Sequence, residues 1–371
     1  MSEDHDVTSK PSAFRRWFLP GFAFKAVVIG GGYATGRELA TFFLPSGPRG
    51  GLYGMLLAMA VWSVVCTVTF LFALQTHSRD YRTFFQRLLG PLWPVFDTAY
   101  ALATILTLAI FAAAAGAIGQ GLFGWPPVIG SLALIVLITL FATFGNEAVE
   151  RLFKYVSLFL YATYGVFLLL SLTHFGNRIA VAFSDATPRG GWVTGGLTYA
   201  GYNIVAAVII LPVTRHLTDR RDAVVAGLLA GPLAMVPAML FFVSMVGFYP
   251  QIESQLLPSD FLLGKLGLPL FRLVFQAMIF AALLESGTGG VHAINERIAQ
   301  ALRAGGRREL STRARLAITS AILIGSVFVA DRVGLVTLIA SGYRFLGYVV
   351  LTLFVLPLMT YGLWRVCRRS Q

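Results

Sequence analysis

The chain has 371 residues, 57% of them hydrophobic and 12% charged, with a net charge of +12. Soluble proteins carry about 25% charged residues, so this composition excludes an ordinary soluble domain and points to a helical protein that crosses a membrane many times. Its two cysteines, Cys66 and Cys367, exclude a disulfide framework and a thiolate metal site.

Residues 1–14 are polar and contain no short apolar stretch ending in a small-residue cleavage site, so a cleavable signal is not expected. Runs of about 20 apolar residues mark membrane helices. Ten such runs occur: 18–43, 51–75, 92–122, 126–145, 152–173, 191–214, 223–248, 268–300, 313–330 and 343–366. The third and eighth exceed the thickness of a bilayer, so they tilt or project beyond it. Phe84–Leu89 reads as an amphipathic connector. Ile252–Leu268, with Pro258, reads as an external loop able to form a short lid, and 333–341 as a short connecting helix. With the N-terminus in the cytoplasm, 20 of the 29 Lys and Arg residues fall on the cytoplasmic side and 7 outside. That bias sets orientation and accounts for the basic charge without a nucleic-acid partner. The expected organisation is a tail at 1–17, five spans over 18–174, an external connector at 175–190, five spans over 191–366, and a tail at 367–371.

The first span holds the least regular helical sequence. Gly30-Gly31-Gly32-Tyr33-Ala34-Thr35-Gly36 is followed at once by Arg37-Glu38. Glycine loses the most entropy on becoming helical, so this helix is expected to stop and restart. In lipid, unwound backbone is tolerated only when buried in protein or lining a polar cavity. The amides of Gly31, Gly32, Tyr33, Ala34, Thr35 and Gly36 would then present N–H groups and a positive dipole end to a carboxylate. Close packing through small residues is the other use of such a run. The spacing G-x-G-x-x-x-G, with no strand before it, is not a dinucleotide fingerprint. Arg37 and Glu38 are adjacent and face different directions on a helix. Each is a candidate gate or substrate contact, or a member of a structural pair. Lys25, a turn earlier, is expected to snorkel to the interface.

The sixth span repeats the disturbance. Gly195-Gly196-Leu197-Thr198-Tyr199-Ala200-Gly201-Tyr202-Asn203 precedes the apolar Ile204–Pro212, and a break is expected at 200–203. Five spans separate the two disturbances, and an odd number reverses orientation. The halves are therefore expected to be inverted repeats, with a transport site at the membrane midplane between the interrupted helices. Tyr202 offers an aromatic wall and a hydroxyl. Asn203 can donate and accept, either to a substrate or to the broken backbone itself. In the eighth span Glu285 and Ser286 lie at membrane depth, where a carboxylate is a functional-site candidate by default. Glu285 could bind an ion, take up a proton, or pair with Arg37 or Lys25; Thr288 is a second hydroxyl candidate. No HExxH or GxSxG motif occurs and histidine is scarce, so neither catalysis nor a cofactor is expected.

Ten helices in a five-plus-five inverted repeat, with helices 1 and 6 unwound, resemble the leucine-transporter (LeuT) fold of the amino acid–polyamine–organocation superfamily. GGGYATGRELATFF in the first span, AGYN in the sixth and LLESGTGGVHAINERI in the eighth resemble the YkvI-like bacterial membrane proteins over nearly the whole chain. The 20:7 charge split is what places both termini in the cytoplasm, and the resemblance implies an all-α protein of the bacterial inner membrane. It also implies ion-coupled symport of a small amino acid or related amine. The Gly31–Gly36 segment would hold the substrate carboxylate, and the eighth helix would face that break. A sodium ion would meet the carbonyls of Gly30 and Tyr33 and the side chain of Ser286. Glu285 stands where a hydroxyl is usual, which leaves sodium and proton coupling both open. The partners implied are a small-molecule substrate and lipid, and no oligomeric state follows. Spore-germination receptor subunits share the fold and give a second reading, amino-acid sensing without net transport.

Overall fold

The computed structural model describes the backbone of residues 11–144, 147–184, 187–304 and 311–368. Parts of both expected tails, 1–10 and 369–371, lie outside the described residues, as do Arg307 and Arg308. Among the described residues the regular structure is helical throughout. Seven helical stretches are long and apolar enough to cross a membrane: Arg37–Thr76, Tyr81–Phe123, Leu158–Ser184, Arg220–Val246, Pro269–Ala299, Arg313–Val333 and Leu335–Arg368. Pro127–Ala142 is a shorter apolar helix. The first and sixth expected spans fall short of that length because each is cut into pieces. The first is α1 (Leu19–Val28), α2 (Gly31–Ala34) and α3 (Arg37–Phe42). The sixth is α9 (Trp192–Asn203) and α10 (Ala206–Ile209), ending in a tight turn at Leu211–His216. Between them run α4 (Gly47–Thr76), the connector α5 (Tyr81–Leu89), α6 (Trp93–Phe123), α7 (Pro127–Phe144) and α8 (Glu147–Ser184). After them come α11 (Arg220–Val246), α12 (Pro258–Leu266), α13 (Pro269–Ala304), α14 (Thr312–Val333) and the final helix, Leu335–Arg368. The chain is a multi-pass helical membrane protein.

Polar contacts define two faces. On one, the Arg16 guanidinium lies 3.0 Å from Asp222, and the Trp17 indole N–H donates to the same carboxylate at 2.7 Å. Gln75 donates to the Arg365 carbonyl at 3.2 Å beside them. The Arg220 guanidinium reaches the Val366 carbonyl at 3.4 Å, so the segments around Arg16 and Arg365 lie on one face, the terminal face. On the opposite, far face the Arg189 amide donates to the Ser46 carbonyl at 3.0 Å, and Arg49 reaches the Phe183 carbonyl at 3.0 Å. The connector α5 starts at the Asp80 cap, which accepts from the Thr83 amide at 2.8 Å. It buries Phe84 and Phe85 against Phe72, Phe96 and Phe354, as an amphipathic helix should.

Two boundaries differ from those expected. The segment 333–341 is not a separate connecting helix. Gly334, at φ +77°, ends α14, and the helix that begins at Leu335 runs on through Ser341-Gly342 to Arg368. An apolar stretch with no proline before Pro357 has nothing to stop it. Likewise the fifth helix continues to Ser184, so most of the expected connector at 175–190 is helical. Pro188 bars the helical conformation only just upstream of itself.

Helices α4 and α11 approach closely through glycine. A side chain added at Gly227 would collide with the backbone of Thr67, and one at Gly231 with Ser63 and the Met59 carbonyl. Gly227→Ala or Gly231→Ala is expected to destabilise the protein by about 1–3 kcal/mol, read as a lower melting temperature in detergent. Gly165→Ala, where an added carbon meets nothing within 4 Å, is expected to leave the melting temperature unchanged.

Candidate functional site

The first helix is interrupted twice. At Ile29 the backbone leaves the helical region (φ −89°, ψ 77°). One turn then forms at α2, closed by the Ala34 amide on the Gly30 carbonyl at 3.2 Å. The Gly36 amide donates to the Tyr33 carbonyl at 2.9 Å, and Gly36 takes φ +78° before α3 begins. Only glycine adopts that φ readily, and a side chain there would also lie 2.7 Å from the Phe241 ring. From the far face the N-terminus of α12 covers this second interruption, its Ser259 amide donating to the Thr35 carbonyl at 3.0 Å.

The sixth helix breaks later than expected. It stays helical through Asn203, and the change comes at Ile204–Val205, not at 200–203. There the bonding tightens, with Ala207 donating to Ile204 at 2.9 Å and Val208 to Val205 at 3.1 Å. The glycines read as a break serve instead as contact points. Side chains at Gly195 and Gly196 would collide with the carbonyls of Phe42 and Gly54, and Gly201 lies against Gly347. Small-residue packing thus won over backbone disruption at 195–201.

Between the two interruptions lies a cavity of about 500 Å³. Gly30, Tyr33 and Glu38 line it from the first helix, Tyr202 and Asn203 from the sixth, and Ser286 from α13. Thr107 of α6 and Tyr343 of the final helix also line it, with Tyr100 nearer the terminal face, where Arg297 lies over its ring. The cavity continues toward the terminal face past Val27, Ala99, Ile209 and Ala293. Ser286 is exposed although it sits deep in a membrane helix, because this cavity runs beside it.

Arg37 and Glu38 part company, as adjacent helical positions must. The Arg37 guanidinium turns to the far face and donates to the carbonyls of Glu253 at 2.9 Å and Gln255 at 2.6 Å, and to Thr41 at 3.1 Å. It thereby ties α3 to the lid segment 251–266. Glu38 turns into the cavity, only 5% exposed. The Tyr202 hydroxyl donates to its Oε2 at 2.5 Å, and Tyr202 stacks on Tyr343 with ring centroids 4.2 Å apart. Tyr199 packs edge-on to the same Tyr202 ring with centroids 5.6 Å apart and Tyr33 lines the cavity nearby, so Glu38 stands beside a cluster of tyrosines. Among the described residues that line the cavity it is the one charged side chain.

The remaining candidates divide. Gly31 and Gly32 open the α2 turn, and Ala34 is buried behind it. The Thr35 hydroxyl accepts from the Arg37 amide at 3.2 Å. Asn203 lines the cavity while its amide donates to the Tyr199 carbonyl at 3.1 Å, so it also serves its own helix. Ser286 Oγ lies 3.6 Å from where a side chain on Gly30 would begin, which sets α13 against the first interruption. Of the expected ion-coupling residues, Gly30, Tyr33 and Ser286 share the cavity. Glu285 and Thr288 are not among its lining residues. Thr288 donates to the Leu284 carbonyl of its own helix at 2.8 Å. Glu285 instead acts on Tyr161 of α8, over whose ring the Lys25 ammonium sits at 4.4 Å. A one-residue step along a helix turns a side chain by about 100°, which is why Ser286 and Glu285 face different neighbours. Tyr343 and Tyr100 were not singled out in the sequence. Their one signal was a polar aromatic inside or beside an apolar span.

No family model matches the chain. It is 20% identical over 335 residues to YkvI of Bacillus subtilis (strain 168), described as an uncharacterized membrane protein, covering 89% of this chain and 92% of that one. Among solved structures it is similar to MhsT in complex with L-phenylalanine, with a TM-score of 0.60 and 15% identity over 98% of both chains. It is also similar to the inward-facing conformation of Mhp1, with a TM-score of 0.55 and 14% identity over 95% of this chain and 81% of that one. The fold is therefore that of the LeuT-type helical membrane proteins. Within that class its sequence is similar to that of YkvI.

The Arg37 bonds to the lid should hold the far face shut. In a Cys367→Ser background, with Cys66 buried, a Ser286→Cys thiol is expected to react with a membrane-impermeant maleimide from the terminal face. Adding Arg37→Ala is expected to raise labelling from the far face at least about tenfold, since each hydrogen bond from a charged group is worth about 1.5–3 kcal/mol.

Proposed function

We propose that this chain is a secondary active transporter that moves a small amino acid or related amine by ion-coupled symport. The observation that carries this reading is the cavity between the two interrupted helices, covered on the far face by α12 and continuous toward the terminal face. A midplane site flanked by broken helices is the arrangement by which inverted-repeat transporters expose a solute alternately to each side. The MhsT likeness, to a complex with L-phenylalanine, supports an amino acid or amine as the solute. The Mhp1 likeness, to an inward-facing conformation, agrees with the direction in which the cavity runs. The positive-inside bias supports a cytoplasmic terminal face, and the likeness to YkvI of Bacillus subtilis supports a bacterial cytoplasmic membrane.

Coupling runs through sodium or a proton. The carbonyls of Gly30 and Tyr33 and the Ser286 hydroxyl supply hard oxygen ligands suited to sodium. Each carbonyl already accepts one backbone hydrogen bond and keeps a second lone pair. Glu285, near Tyr161 of α8, is the candidate for carrying a proton or for steering the ion.

Proteoliposomes holding the chain are expected to accumulate an amine-bearing solute against its gradient under an imposed sodium or pH gradient, and to stop when that gradient is collapsed. Saturable binding with no flux would sink the transporter reading and favour a membrane sensor. Glu285→Gln is expected to retain fold and solute binding while accumulation no longer follows the ion gradient. Unaltered ion dependence in that variant removes Glu285 from coupling.

A further inference from the structure

We infer that the solute this cavity selects is a net monocation, an organic ammonium without a compensating carboxylate. Glu38 supplies its counter-charge, and Tyr33, Tyr202 and Tyr343 supply its wall. This deepens the transport-site reading and rests on it for the identity of the cavity.

The charge balance comes first. Glu38 is the one charged side chain among the described residues lining the cavity, and its hydrogen bond comes from the neutral Tyr202 hydroxyl. The adjacent cation, Arg37, is committed to two lid carbonyls on the other side of the helix. A carboxylate held away from water is strongly destabilised until a counter-charge reaches it. A monocation neutralises it, whereas a zwitterion leaves the cavity with the same net charge it had before. Two of the six amides expected to receive a substrate carboxylate, those of Ala34 and Gly36, are already bonded to the carbonyls of Gly30 and Tyr33. The wall adds a third observation. Tyr202 and Tyr343 stack within 17° of parallel beside Glu38, and Tyr33 closes the first-helix side. Aromatic faces attract an ammonium through their quadrupole, most strongly when it is desolvated.

Four probes at one pH separate the possibilities: phenethylamine, choline, phenylalanine and phenylacetate, titrated calorimetrically into the purified full-length chain. Phenethylamine and choline are expected to bind at least about tenfold more tightly than phenylalanine, with phenylacetate failing to compete. Glu38→Gln is expected to weaken binding of the cations by about 100-fold or more. Tyr343→Leu is expected to weaken it about tenfold, and Tyr343→Phe to leave it intact. Equal binding of phenylalanine and phenethylamine overturns the proposal, as does cation binding that survives Glu38→Gln. Binding of phenylalanine alone overturns it too, and would mean that a proton rather than the solute neutralises Glu38. If Glu38→Gln fails to run as a monodisperse species on gel filtration, the wild-type ligand ranking and the Tyr343 pair decide. Cation binding without flux in liposomes keeps this inference and sinks the transporter reading. Flux of a zwitterion with no preference for cations does the reverse.

Discussion

Inside a bilayer a backbone amide or carbonyl that leaves its helix must find another partner, and the segment from Ile29 to Gly36 is arranged around that requirement. One turn of helix is salvaged between the two interruptions. The groups it frees are taken by Ala34 on Gly30, by Gly36 on Tyr33, and by Ser259 on Thr35. The last of these is not local. Because the Thr35 carbonyl is satisfied by the first turn of α12, the lid and the break stabilise each other, and the cavity is sealed from the far face by the same bond that makes the break tolerable.

The second consequence is a division of charge. Two adjacent ionisable residues at the restart of the helix project to opposite sides, Arg37 into the lid and Glu38 into the cavity. Their side chains are thus rigidly related through one short helix. Whatever neutralises Glu38 acts on α3, and α3 is what Arg37 fastens to the segment 251–266. Cavity and lid are linked through this one short helix, with no long relay of side chains between them.

Much of this was legible before the fold was known. Glycine density located the break in the first helix, and at Gly36 the reason is plain: φ is +78° and a side chain would meet the Phe241 ring. The same signal misled at 195–201, where glycine allows close packing on Phe42 and Gly54 and the helix stays intact. Composition does not distinguish a glycine needed for φ from one needed for space. The adjacency of Arg37 and Glu38 foretold that they diverge, but not which of them enters the cavity. Glu285 drew attention as a carboxylate at depth. Its neighbour Ser286 faces the cavity, since a helical register is read only once the partner helices are placed. Tyr343 and Tyr100 reach the site from helices distant in sequence, and no local pattern marks such a meeting.

The glycines at 195 and 196 have one more implication. They press α9 so closely onto α3 and α4 that main chain touches main chain. Around these main-chain contacts Phe42 and Trp62 pack their rings against Tyr199, and the Trp62 indole donates to the Ala200 carbonyl, so backbone and aromatic contacts together hold α9 to α3 and α4. The three helices are packed as one block. In the alternating-access reading proposed above, that block would move as a unit, and the places of irregular bonding beside it, Ile29–Gly30, Gly36 and Ile204–Val205, would absorb the rotation, with the tyrosine cluster around Glu38 between them.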